Sequence, residues 1–437
     1  MSKPIQTIRI GLAGLGTVGG GVYQNLIRNR ALLQGRLGIN LDVVAISVRD
    51  PERDRGFDVD HGLFVNGWRE LINNPEIDVV VELIGGTTEA KDLVLGALQA
   101  GKAVVTGNKA LLAEHGADIF KVVEETGQPI YYEAAVAGGI PIIKTILESL
   151  VGNHIISACG IINGTCNYIL TRMATEGLHY GEALREAMAK GYAEADPTLD
   201  INGMDAAHKA IIIASLAYGS WLPCDSMHVE GIESVDLIDL QFAEKLGYTV
   251  KLLSVIKGHE DGSIEVRTQP SLLPLDHILA SVHGVFNAIA VHGDIVGETL
   301  FYGSGAGQDP TSSSVISDLA DAAMAIAGSK PRSSFTPHGV YGKPVAIDDT
   351  LSRYYLRLQA EARPGVLARI AGVLAEHEIG IISVLQPDEP DGDDSLPAQL
   401  VVTLHEARYG DMIAARDKIA ALDCVRAKPV LLRVETL

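Results

Sequence analysis

Asp205 and Lys209 stand four residues apart in the run DAAHKAIIIA, so a helix places both on one face. The helix beyond them is almost wholly apolar, which predicts burial, and a buried pair must overcome several kcal/mol of desolvation per ion. Charge kept at that cost is expected to do chemistry. Burial can tune a lysine ammonium toward the working pH while the aspartate holds its position and charge, so a proton can pass to an oxygen. The plain alternative is a structural ion pair at the mouth of the helix. His208 on the same helix reads as packing or surface. Upstream, Glu194, Asp196 and Asp200 in GYAEADPTLD form a cluster of acids suited to gripping an ammonium group, or else a capped, solvated loop.

A second constellation, Gly14-Leu15-Gly16-Thr17-Val18-Gly19, follows the apolar run IRIGLA and opens a helix. Gly14 permits a tight turn, Gly16 lets backbone approach a pyrophosphate and Gly19 allows close helix packing, while the helix N-terminus attracts negative charge. The triplet alone is weak; its strand-turn-helix setting makes it a dinucleotide site rather than a glycine-rich turn. The next strand ends AISVRD, with no acid at its tip to accept a ribose 2′-hydroxyl. Arg49 there faces a 2′-phosphate or is simply solvated, which favours NADP, and Asp50 one residue later keeps NAD open. In Thr106-Gly107-Asn108-Lys109 a lysine reaches the crevice that parallel sheets use for ligands. A lysine starting a helix beside the positive end of its dipole is otherwise unfavourable.

Two further segments are less specific. EAAVAGGIP leaves a strand through Gly138-Gly139, where irregular backbone frees carbonyls for a hard monovalent cation; the residues alone favour a plain turn. Asn163 to Tyr168, NGTCNY, offers amide and hydroxyl groups before a helix, with an N-cap at Thr165 as the ordinary reading. Cys166 has no evident activating base in the sequence.

These residues need a scaffold, and the chain's 437 residues suggest about two to four domains. With 47% hydrophobic and 21% charged residues it is an ordinary globular composition. A net charge of -20 disfavours nucleic acid and anionic lipid as partners. Four scattered cysteines indicate neither a disulfide framework nor a thiolate zinc site. The start MSKPIQTIRIGLAG lacks a leader pattern, and no apolar run reaches the roughly 18 residues of a membrane helix, so the expected setting is soluble and cytoplasmic.

Along the chain, the runs IRIGLAG, VVAIS, VVVELI, AVVTGN and PIYYEAAV alternate with amphipathic stretches, which predicts an α/β, Rossmann-type doubly wound parallel sheet over residues 1–140. The helical pattern from about Thr311, extending toward 340, is expected to return and complete it. Residues 141–310 read as an α+β domain for substrate binding and oligomerisation, and 330–350 as a linker rich in proline, glycine and serine. From 351 to 437 the pattern is β-α-β-β-α-β, ferredoxin-like, interrupted by the acidic loop PDEPDGDDSLP.

Several motifs in order, GLGTVGGGV, ELIGG, TGNKALLA, EAAVAGGIPII, IINGTCNYIL, GYAEADPTLDINGMDAAHK and YGSGAGQDPT, resemble the homoserine dehydrogenase family. EARPGVLARIAGVLAEHEIGIISV resembles an ACT domain, a small regulatory fold that often binds amino acids. The resemblance implies reversible NAD(P)-dependent interconversion of L-homoserine and L-aspartate 4-semialdehyde, on the way to threonine, methionine and isoleucine. By that likeness Lys209 donates a proton to the developing alkoxide, Asp205 positions it or relays through water, and Glu194 binds the substrate amine. Lys109 lies near the carboxylate and nicotinamide, and Asp200, Gly164, Thr165 and Tyr192 join the substrate site. Gly86, Thr106 and Gly305 join the cofactor site, and a cation, usually sodium, takes backbone oxygens of Glu133, Val136, Gly138 and Ile140. The family likeness also implies a homodimer or homotetramer, with threonine as an effector of the ACT unit, unless that unit only dimerises. Two other readings stay open: a hydroxy-acid dehydrogenase with an ACT unit, which would use a histidine as acid and base, and a non-catalytic sensor of dinucleotide and amino acid.

Overall fold

The computed structural model describes residues 5–328, 342–386 and 397–435. Most of the acidic loop and residues 330–341 of the expected linker lie outside them. The chain divides into two compact units: Met1–Ser157 with His208–Cys224 and Asn287–Gly342, and Ala158–Ala207 with Asp225–Phe286 and Lys343–Leu437.

In the first unit, six strands carry the crevice: β1 (Gln6–Ala13), β2 (Ile39–Ser47), β3 (Phe64–Val65), β4 (Val79–Glu82), β5 (Ala103–Thr106) and β6 (Ile130–Tyr131). Their order is β3-β2-β1-β4-β5-β6 and each neighbouring pair is parallel. Such a sheet must be covered on both faces, and Ile8, Ile10, Leu12, Val79, Val80, Val81, Val104 and Val105 are accordingly buried. The order reverses between β1 and β4, so a ligand crevice opens beyond their carboxyl ends. β3 is the strand the sequence runs did not announce, because two residues are too short to show a period.

The helix Gln308–Ile326 sets Val315, Leu319, Ala322 and Ala323 into the same core as Ile10, Leu12 and Val79. It starts three residues before Thr311, since Pro310 falls in its first turn, where a missing N–H costs nothing.

The second unit contains a mixed sheet in the order Tyr248–Gly258, Ser263–Pro274, Val430–Val434, Leu351–Ala360, Ala398–Arg408 and Ile381–Leu385. Its last four strands, with helices Val366–Glu376 and Tyr409–Ala420, follow the ferredoxin-like pattern. Tyr354, Leu356, Leu358, Ile370, Leu374, Met412 and Ile419 make its core. Val430–Val434 lies parallel to Ser263–Pro274, with Arg433 opposite Ser271, so an open sheet edge is covered. Charged groups line this seam. Arg357 holds the Asp239 carboxylate, with Nη2 to Oδ2 at 3.0 Å, while Tyr355 donates to Asp239 Oδ1 at 3.1 Å. Arg267, fully buried, pairs with Glu265 at 2.7 Å and Glu435 at 2.5 Å. Among the described residues no helix is long and apolar enough to cross a membrane.

Candidate active site

The three glycines of the first turn occupy three different environments. Gly14 has φ 95°, and a Cβ there would stand 2.4 Å from the Leu83 carbonyl oxygen. At Gly19 a Cβ would fall 2.1 Å from Gly14 O, so helix and turn touch backbone to backbone. Gly16, by contrast, faces open space, with nothing within 4 Å of its Cβ position. The helix Thr17–Arg28 starts there with no side-chain cap and no acid in its first turn. Leu15 is buried beneath it, whereas Gly16 and Thr17 are exposed and Val18 is half-buried. Uncapped N–H groups beside an open glycine make a cradle for a pyrophosphate, so the residues present fit a dinucleotide. At the β2 tip, Arg49 is 91% exposed and meets Glu89 only at 3.7 Å. The Asp50 carboxylate instead accepts the Glu52 N–H at 3.1 Å.

The tips of β4 and β5 are tied by a group absent from the sequence candidates. Glu82 is buried; its Oε2 accepts the Thr106 hydroxyl at 2.5 Å and its Oε1 accepts the N–H groups of Ile84 and Gly85. Burial raises its pKa, opposed by those hydrogen bonds. Gly85 and Gly86 follow, both left-handed, and Asn108 Nδ2 donates to Gly86 O at 2.7 Å. Asn108 Oδ1 also accepts the Leu111 N–H, capping the helix Lys109–Thr126 and setting half-buried Lys109 at its first position. Gly86, Thr106 and Lys109 are thus brought to one end of the sheet. An acid closing an all-valine strand was the one available sequence signal for Glu82.

Farther along, Ala137 and Gly138 are consecutive left-handed residues with φ 53° and 49° in a buried turn. A non-glycine residue there carries strain, which functional sites tend to retain. A Cβ on Gly138 would meet Gly305 O at 2.5 Å, and one on Gly305 would overlap the Asn287 amide at 1.9 Å. Gly138 is therefore needed for close backbone approach, and Gly305 makes room for the Asn287 side-chain amide. Gly138 O accepts the Ser314 hydroxyl at 2.6 Å, Ile140 O the Ile142 N–H at 2.8 Å and Glu133 O the Val136 N–H at 3.4 Å. Each carbonyl oxygen has two lone pairs, so a cation bound through oxygen still fits. Two buried carboxyls lie alongside: Glu133 N–H donates to Asp318 Oδ2 at 2.8 Å, and burial pushes both up to about 7 against the pull of Lys144. Among the described residues no group of three His, Cys, Asp or Glu could hold a metal ion.

In the second unit the segment GYAEADPTLD is organised by Asn163. Its Nδ2 donates to Asp200 Oδ1 and to Asp205 Oδ2, both at 2.8 Å, and its Oδ1 accepts the Cys166 N–H at 2.7 Å, capping the helix Gly164–Glu176. Thr165 donates its hydroxyl to Tyr192 O at 2.7 Å, and the Tyr168 and Tyr192 rings lie 4.9 Å apart. Gly164, Thr165, Tyr192, Asp200 and Asp205 are thereby gathered, while Glu194 lies exposed two residues past Tyr192. The cap falls on Asn163, not on Thr165 as the sequence suggested, because the helix begins at Gly164.

The helix Met204–Tyr218 carries Asp205 and Lys209 at 8% and 9% exposure, and Ala210 to Ala214 behind them are buried. His208 is buried as well. Charge has thus been placed on an apolar helix, as the run DAAHKAIIIA implies.

Comparison with known proteins agrees across nearly the whole chain. A family model described as homoserine dehydrogenase matches residues 141–320, and one described as homoserine dehydrogenase, NAD binding domain, matches 14–133. The homoserine dehydrogenase of Pseudomonas aeruginosa is 45% identical over 442 residues, covering 99% of this chain and all of that protein. A crystal structure of a homoserine dehydrogenase from Thiobacillus denitrificans is similar at TM-score 0.92 and 40% identity, over 98% of each chain. A hyperthermophilic archaeal homoserine dehydrogenase in complex with NADPH is similar at TM-score 0.61 and 26% identity, over 73% of this chain and 98% of its own.

Proposed function

The chain belongs to the homoserine dehydrogenase family, and from that premise we propose how its residues divide the work. It is an NAD(P)-dependent oxidoreductase that interconverts L-homoserine and L-aspartate 4-semialdehyde. That membership sets aside the hydroxy-acid and sensor readings. When bound, the nicotinamide cofactor supplies or accepts the hydride.

Gly14, Leu15, Gly16, Thr17, Val18 and Gly19 hold the pyrophosphate on the helix N-terminus, with Gly86, Thr106 and Gly305 completing the cofactor site. Arg49 faces a 2′-phosphate, making NADP the preferred cofactor; its exposure at the β2 tip and the NADPH bound by the archaeal relative support this. Glu194 and Asp200 grip the substrate ammonium, with Gly164, Thr165 and Tyr192 as further substrate-binding residues, and Lys109 takes the carboxylate. Lys209 gives a proton to the aldehyde oxygen as it becomes an alkoxide, and takes it back in the oxidative direction, while Asp205 positions the Lys209 ammonium or relays the proton through water. The observation that carries this assignment is the burial of Lys209 and Asp205 four residues apart on one helix.

Sodium, or another monovalent cation, binds backbone oxygens of Glu133, Val136, Gly138 and Ile140 and steadies the strained turn. The ferredoxin-like C-terminal fold is an ACT domain and threonine is its effector. A cavity of about 410 Å³ lined by Glu361, Arg363, Gly365 and Gln386 supports that role, since it offers the uncapped start of the helix Val366–Glu376 for a carboxylate, beside Glu361, which is ion-paired to Arg363 and Arg426. The enzyme works in the cytoplasm as a homodimer or homotetramer, toward threonine, methionine and isoleucine.

Lys209→Ala tests the catalytic assignment: turnover should fall by about 10²- to 10⁴-fold with nucleotide binding retained. Unchanged turnover would refute it. Initial rates of L-homoserine oxidation with NAD and NADP, with and without threonine, decide cofactor preference and feedback together.

A further inference from the structure

Asn163 spends both of its amide hydrogens on carboxylates. Nδ2 lies 2.8 Å from Asp200 Oδ1 and 2.8 Å from Asp205 Oδ2, and the residue is 97% buried, with 3% of its surface exposed. Two acceptors at that distance along the diverging N–H bonds of one amide stand about 5 Å apart. Two like charges so close repel, and a neutral donor between them is the least charged group that can hold both. A lysine in that place would compete with Lys209 for Asp205, and a carboxylate would add to the repulsion.

We infer that Asn163 is a positioning residue for the reaction, the amide that fixes the carboxylate of the catalytic pair, Asp205, to the carboxylate of the substrate loop, Asp200. The inference rests on the assignment of Asp205 and Lys209 to catalysis. The third hydrogen bond of the side chain anchors the arrangement: Oδ1 accepts the Cys166 N–H at 2.7 Å at the start of Gly164–Glu176. The amide plane is thereby set by the helix, and its two hydrogens cannot swing away from the acids without breaking the cap. Cys166 adds to the fixing, donating its thiol to Asp200 O at 3.2 Å. Asp200 is thus held through both its side chain and its backbone, while Asp205 is held from outside its own helix.

A helix cap alone would explain the Oδ1 contact, and two substitutions separate the roles. Asn163→Ser and Asn163→Asp are both good N-caps, so each preserves the cap; Ser does so without adding charge, whereas Asp sets a third carboxylate beside Asp200 and Asp205 and lowers stability. Neither can donate to two carboxylates. The expected result for Asn163→Ser is a thermal midpoint close to that of the parent, and for both variants an unchanged dissociation constant for the nicotinamide cofactor and a kcat/KM for L-homoserine lower by about 100-fold. The loss should be split between kcat, through Asp205, and KM, through Asp200. Either variant within about threefold of the parent overturns the inference, as does an equal loss of cofactor affinity.

Should Asn163→Asp fail to fold, the exchange N163D/D200N rebuilds one amide–carboxylate bond with its polarity reversed. Recovered folding with turnover still low supports the positioning role, and full turnover, or no recovery of folding, overturns it. Lys209→Ala assayed alongside keeps the two ideas apart. If it retains turnover the catalytic pair is wrong; if it is inactive while Asn163→Asp is fully active, only the role of Asn163 falls.

Discussion

Glu82 Oε2 accepts the Thr106 hydroxyl at 2.5 Å, a bond that joins the carboxyl ends of β4 and β5 where the cofactor crevice opens. Because the carboxylate is buried, the group it loses cannot be replaced cheaply by bulk water. Thr106→Val keeps the shape and removes the donor, along with the acceptor of the Asn108 N–H at 3.1 Å. We expect a loss of about 1–3 kcal/mol in stability by chemical denaturation and weaker nucleotide binding by fluorescence titration. A variant as stable as the parent would show that the bond contributes nothing to the tip.

The glycine turn predicts opposite outcomes for two similar changes. Gly16→Ala meets empty space at φ -79° and should leave stability within about 0.5 kcal/mol of the parent. Nucleotide affinity should nevertheless fall by about tenfold or more, because the methyl occupies the approach of the pyrophosphate. Gly19→Ala drives a methyl into Gly14 O and should cost about 3 kcal/mol or more. Equal effects of the two on folding would contradict the division of roles.

Lys251 is buried, donating to Asn167 Oδ1 at 3.1 Å and to Val282 O at 2.5 Å, and burial lowers its pKa to about 8. The folded chain therefore binds fewer protons than the unfolded one between about 8 and the ordinary value of 10.5. Stability from this group rises with pH across that window, by an amount on the order of 3 kcal/mol. Lys251→Met should lack that alkaline gain, so the difference between variant and parent in denaturation midpoints should change between pH 8 and 10. A difference independent of pH would rule the titration out.

Cutting the chain after Thr350 should do more than remove an effector site. It strips the strand Val430–Val434 from Ser263–Pro274 and leaves Arg267 without Glu435 and Asp239 without Arg357. Stranding a buried charge typically costs about 3–5 kcal/mol. The truncated protein is expected to aggregate or to melt well below the parent, as light scattering and calorimetry would report. A truncation that stays soluble and equally stable would mean that the seam is dispensable. Feedback is accordingly better probed by point changes in the cavity, such as Arg363→Ala, with the seam intact.

Local pattern carried much of this molecule. The parallel sheet was legible in its valine- and isoleucine-rich runs because burial on both faces erases alternation, and the C-terminal β-α-β-β-α-β pattern was legible because its strands and helices differ in period. β3 escaped since two residues have no period, and Pro310 masked a helix start that its position in the first turn permits.

The glycine turn, the charged pair on an apolar helix and the order of the motifs are properties of neighbours in the chain, so residue types and spacing alone determined that turn and the shared face of Asp205 and Lys209. Tertiary structure decided which polar groups meet. Asn163 bonds to residues 37 and 42 positions away, Thr106 to one 24 positions away, and Glu133 to one 185 positions away. Hydrogen bonds depend on distances of tenths of an ångström and on direction, and no spacing along a chain encodes those until packing has brought the elements together.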